Sequence, residues 1–149
     1  MKKIRMLAAG IAVMACSSKT PKDNPVLVEA NQVHLEAEAI QEKIEPEIEK
    51  IDSLKNLLAV RKTAKADSLV NDLSKLNADF EDWEKNFFAV PGFEHTHEEG
   101  HEHHNHDHTP APELPADKML EVQKEIKANI ESIEARLNNL LAQIQEALK

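Results

Sequence analysis

Met119-Leu120-Glu121-Val122-Gln123-Lys124-Glu125-Ile126-Lys127-Ala128-Asn129-Ile130-Glu131-Ser132-Ile133-Glu134-Ala135-Arg136-Leu137-Asn138-Asn139-Leu140 opens the last thirty-one residues of the chain, and its periodicity decides the fold. Met119, Val122, Ile126, Ile130, Ile133, Leu137, Leu140, Ile144 and Leu148 recur every three or four residues and lay one apolar seam along a helix. Pro115 followed by Ala116-Asp117 supplies a start for it. At 1.5 Å per residue a helix over 116–149 is roughly 50 Å long. A helix of that kind draws most of its stability from packing its seam against others, so partners are to be sought upstream.

Two such partners are present. Val33, Ala37, Ile40, Ile44, Ile48, Ile51, Leu54 and Leu58 form a stripe that stays in phase across Pro46. Proline inside a helix removes a hydrogen bond and clashes with the preceding turn, so the spacing predicts one helix over about 26–60, bent near Glu45. Leu69, Leu73, Leu76, Phe80, Trp83 and Phe87 then follow at 4-3-4-3-4 spacing, the seam of a helix over about 67–89. Between these stripes lies Arg61-Lys62-Thr63-Ala64-Lys65-Ala66-Asp67, whose cations would fall in the seam if the first helix simply continued. A turn is therefore expected between 61 and 67, with Thr63 or Asp67 as the N-cap, although no Gly or Pro marks it. The fold class so read is all-α: an elongated antiparallel three-helix bundle or coiled coil over 26–149, with helices at about 26–60, 67–89 and 116–149.

Composition agrees with that reading. The 149 residues are 41% hydrophobic and 30% charged, with three Gly, no Tyr and one Trp, a mixture typical of long amphipathic helices in one domain. The formal charge is −9, and loss of the cations Lys2, Lys3 and Arg5 with a leader would make it −12. Such a surface disfavours nucleic acid, which requires clustered Lys and Arg, and favours cations.

The first residues read as an export address. Met1-Lys2-Lys3-Ile4-Arg5 is a basic n-region, and Met6 to Ala15 is an apolar run of ten, too short to span a bilayer. It ends in Val13-Met14-Ala15-Cys16, which resembles a bacterial lipobox: an apolar residue at −3, a small one at −1, then the cysteine that takes the lipid. Residues 1–15 are accordingly assigned to a signal peptide and Cys16 to lipidation. Residues 16–25, polar and proline-bearing, read as a flexible tether. Cys16 is the single cysteine, which excludes a disulfide within the chain.

The chemistry is concentrated in a loop, expected to be disordered, over 91–115, bounded by Pro91-Gly92 and by Pro110, Pro112 and Pro115. A connection of that length is functional or disordered as a rule. Seven of the eight histidines lie in it, as His95, His97, His101, His103, His104, His106 and His108, with five acidic residues among them between 94 and 108. Neutral imidazole is the commonest transition-metal ligand near neutral pH, and carboxylates add oxygen donors and draw cations in. Alternate spacing, as in His104-x-His106-x-His108, puts side chains on one side of an extended backbone. Seven ligands in one segment exceed the four of a closed structural zinc site and leave the geometry unspecified. The chemistry read here is a set of labile sites for Zn²⁺, with Ni²⁺ or Cu²⁺ as alternatives. A Cu(I) site is disfavoured, because beyond Cys16 the only soft ligand is Met119.

Other features read as structural. His34, beside the Val33 stripe with Glu38 one turn on, reads as a surface histidine facing a carboxylate. Phe80, Trp83, Phe87, Phe88 and Phe93 read as a core cluster at one end of the bundle, at the root of the loop. No Gly-rich phosphate loop, nucleophile elbow or HExxH is present; His97-Glu98-Glu99-Gly100-His101 lies in a loop rather than on a helix. The reading is of a protein that is not an enzyme.

The stretches His34-Leu35-Glu36-Ala37-Glu38-Ala39-Ile40-Gln41-Glu42-Lys43-Ile44-Glu45-Pro46-Glu47-Ile48 and Asp79-Phe80-Glu81-Asp82-Trp83-Glu84-Lys85-Asn86-Phe87 resemble a group of small bacterial lipoproteins labelled "viral A-type inclusion protein", a label that reflects coiled-coil similarity. The resemblance covers most of the chain after the tether, and the histidine loop departs from the family's commoner form. It implies an exported protein, lipid-anchored on the periplasmic side of the cell envelope, with the outer membrane as its site, and carries no activity. Two functions follow as expectations. One is a metal buffer or delivery factor whose partners are divalent ions and, through its lipid, the membrane. The other is a structural adaptor that engages a protein partner or a second copy through its coiled surface.

Overall fold

A computed structural model describes residues 20–93 and 111–149. Four α-helices, α1 (Pro25–Ile48), α2 (Ile51–Ala59), α3 (Ala64–Lys85) and α4 (Ala116–Leu148), follow a 3-10 turn at Pro21–Asp23, and the described residues contain no strand. The fold is all-helical, a bundle in which α1 and α2 together form one arm.

The α1–α2 arm keeps a strict 4-3 rhythm. Ala30, His34, Ala37, Ile44, Ile48, Ile51 and Leu58 are its buried residues, and they share one face across the junction. Pro46 lies inside α1, and the helix runs on to Ile48 before it is interrupted at Glu49 and Lys50. Both junction residues keep right-handed angles, φ −58° ψ −26° and φ −82° ψ −6°, and Lys50 N–H donates back three residues to the Glu47 carbonyl at 3.2 Å. The single bent helix expected over 26–60 is thus two helices in phase, parted by a tightened turn three residues after the proline.

The turn after α2 falls where the cations demanded it. Thr63 is the N-cap of α3, its hydroxyl accepting from Ala66 N–H at 3.2 Å, so α3 begins at Ala64 rather than near 67. Lys62, at φ 50°, makes the left-handed step that glycine normally makes. Arg61 reaches the far end of α4 and donates through Nη2 to the Leu148 carbonyl at 2.7 Å.

Side-chain pairs give the directions of the arms. Glu29–Lys124 at 3.0 Å, Glu36–Lys127 at 2.7 Å and Lys43–Glu134 at 2.6 Å advance together along α1 and α4, which therefore run parallel. Trp83 pairs with the Ile126 carbonyl and Asp79 with Arg136, so α3 runs against both. The topology is up-down-up, with the seam residues Leu69, Leu73, Leu76, Phe80 and Trp83 of α3 buried between the other two arms.

α3 ends at Lys85, short of the expected 89 and well before the base of the bundle, here meaning the end where α1 and α4 begin. A non-helical strap, residues 86–93, completes the third arm. Phe87, Phe88 and Val90 are buried in it, and Phe93 packs on the core at its end.

Candidate functional site

The seven histidines His95 to His108 and the lipidation candidate Cys16 lie outside the described residues. What the structure does describe is the base from which the histidine segment departs and to which it returns.

Two polar residues passed over by the apolar reading meet there. His34 is 4% exposed and Gln123 fully buried, whereas their neighbours Val33 and Val122, expected in the seams, are only half-buried. His34 is therefore not the surface histidine expected from its place beside Glu38. The strict 4-3 register explains the correction: 30, 34, 37 in α1 and 119, 123, 126 in α4 are the seam positions, and each helix carries a polar residue at the same level. Counting heptad positions without regard to polarity would have found both.

The two side chains satisfy one another. Gln123 Nε2–H donates to the Phe88 carbonyl at 3.0 Å, which turns Oε1 toward His34 Nδ1 at 3.3 Å, so the imidazole carries its donor proton on Nδ1. The His34 ring stacks on Phe87, centroids 4.4 Å apart and planes 13° apart, and Phe87 stacks in turn on Trp83 at 4.6 Å. Trp83 Nε1–H donates to the Ile126 carbonyl at 2.9 Å. The aromatic residues are thus core, and they fasten the strap to α1 and α4 by stacking and by one amide.

The chain entry is fastened to the same strap. Thr20 donates through its backbone N–H and its hydroxyl to Asp23 Oδ2, both at 2.9 Å, and these bonds hold the Asp23 carboxyl below its usual range. Asn24 caps α1, accepting from Val26 N–H at 3.0 Å, with Pro25 at the first helical position. Residues 20–25, expected to belong to a flexible tether, are therefore built into the fold. The signals were local: a threonine three residues before an aspartate, and asparagine before proline. Pro21 packs on Gly92 so closely that a Cβ on Gly92 would stand 2.6 Å from the Pro21 ring, and Gly92 takes φ 84°.

Both stems of the histidine segment are anchored at this base. Phe93 and Ala111 are partly buried against the core, and α4 starts five residues after Ala111, behind Pro115. Along the shaft, the Lys127 ammonium beside Glu36 holds that carboxyl low and is itself raised by it. No group of three or more His, Cys, Asp or Glu among the described residues is arranged to hold a metal ion. No helix of the described residues is long and apolar enough to cross a membrane.

Comparison of the chain with known protein families, with curated proteins and with solved structures finds no match in any of the three.

Proposed function

We propose that this chain is a lipid-anchored cell-envelope protein that binds divalent transition metal, zinc above nickel or copper, through His95, His97, His101, His103, His104, His106 and His108, and serves as a buffer or delivery factor. The observation that carries the proposal is the concentration of seven histidines and five carboxylates between 94 and 108. Imidazole and carboxylate together select borderline divalent ions near neutral pH, and redundancy of ligands favours exchange over permanent retention. In this reading the helices are an elongated coiled stalk whose task is to hold the two stems, Phe93 and Ala111, in place.

Calorimetric titration with Zn²⁺ of residues 17–149, with and without 94–108, tests it. Stoichiometric uptake that disappears with the segment is the expected result. Dissociation constants weaker than about 0.1 mM, which correspond to roughly −5.5 kcal/mol, would defeat the storage role. That failure would leave the adaptor reading, in which the helical surface engages a protein partner. Leu57 and Val60, 53% and 72% exposed near the distal turn, favour that reading most.

A further inference from the structure

We infer that the bundle stands on a lipid surface by its base, held there on a leash of only three residues, with both stems of the histidine segment opening toward the headgroups. The inference rests on the reading of Cys16 as the lipidated residue and adds an orientation to it. Sequence patterning allowed eight residues of slack between Cys16 and Pro25. The structure removes most of it: Thr20 and Asp23 close a hydrogen-bonded turn, Asn24 caps α1, and Pro21 is lodged against Gly92. Three residues, Ser17, Ser18 and Lys19, remain between Cys16 and Thr20, four Cα–Cα steps that extend at most about 14 Å.

The same contact fixes what lies at that distance. Gly92 adjoins Phe93, the first stem, and Ala111, the second stem, leads through Pro115 into the first turn of α4. Because α1 and α4 run parallel, their first turns share the base. The turn after α2 and the last residue of α4 share the opposite end, where Arg61 meets Leu148. α4 separates the two ends by about 50 Å. A lipid on Cys16 therefore places the stems next to the membrane and points the α2–α3 turn outward.

Among the described residues, the base shows no cluster of cations that would draw it to a lipid surface by charge. Lys22 and Lys118 stand among Asp23, Glu113, Asp117 and Glu121. The covalent anchor and its short leash set the orientation, so the arrangement is expected to persist at high salt.

Full-length protein purified with its lipid from membranes, and shown by mass spectrometry to carry it on Cys16, is reconstituted into vesicles of phosphatidylethanolamine and phosphatidylglycerol bearing a headgroup acceptor dye. A donor is attached through Asp117→Cys at the base or Lys149→Cys at the distal end. The expected result is several-fold more energy transfer from the basal donor, unchanged by salt and reduced when a flexible Gly/Ser insert follows Lys19. Equal transfer from both ends, greater transfer from the distal donor, or absence of lipid on Cys16 would overturn the inference. Zinc titration is scored separately, so a chain that stands correctly and binds no zinc refutes the metal reading alone.

Discussion

Gln123, with no exposed surface, must satisfy an amide inside an apolar seam, and it divides the work between His34 on α1 and the Phe88 carbonyl on the strap. Truncating it removes the partner of His34 Nδ1 and of the Phe88 carbonyl at once. Gln123→Ala is expected to destabilise the bundle by about 1–3 kcal/mol, read as a lower midpoint in urea unfolding. Combined with His34→Ala in a double-mutant cycle, it should display a coupling of about 0.5–3 kcal/mol, and strict additivity would show that the pair does not interact. Gly92 makes a different demand. Its φ of 84° and the Pro21 ring at 2.6 Å from any Cβ leave no room for a side chain. Gly92→Ala should therefore cost about 1–3 kcal/mol. Adding Pro21→Gly, which removes both the Cβ and the Cγ that stand at 2.6 Å, should recover only the steric part, because the backbone strain remains.

The elements owe their boundaries to individual caps. Lys62 occupies the left-handed step between α2 and α3 at φ 50°, a conformation that burdens any residue with a Cβ. Lys62→Gly is expected to raise stability by up to about 1 kcal/mol, and a fall in the melting temperature would contradict this account of the turn. The opposite end carries a cap that is itself sensitive to acid. The Asp23 carboxyl is held below 3.8 by Thr20, so its contribution is present above about that pH and is lost as pH falls through the folded-state value. The Thr20 amide resonance should report this titration, and Asp23→Asn should abolish it. An amide unmoved by acid would mean that the cap is not formed in solution. Much of this was legible: the 61–67 turn followed from the cost of placing cations in a seam, and Leu69 to Phe87 are all buried as their spacing required. The early end of α3 was not legible, because its seam rhythm runs on to Phe87, two residues past the last helical residue Lys85, and the strap inherits that position.

At the scale of the molecule, the base gathers the chain entry, the strap and the first turn of α4, and each is fastened by contacts among the described residues. Replacing 94–108 by a short Gly/Ser linker should therefore leave the urea midpoint unchanged, since Phe93 and Ala111 keep their core contacts. A large loss of stability would mean that the segment is part of the fold and not cargo-binding chemistry carried by it. The same variant supplies the reference for zinc titration, so folding and ligand loss are read on one protein. The surface ion pairs that mark the register, Lys43–Glu134 among them, are exposed enough that each contributes no more than about 1 kcal/mol. The apolar seams carry the assembly.

Helicity, most of the three seams and the charged turn were determined by the sequence alone, because each depends on residues within a few positions of one another: i→i−4 hydrogen bonds, caps and seam spacing are local. Tertiary structure decided which arms run parallel, which end carries both the entry and the stems, and what becomes of His34 and Gln123. Those two residues are 89 positions apart. Each taken alone is a polar interruption best placed at the surface, and only their meeting across the seam, with the Phe88 carbonyl as third partner, removes the cost of burying them.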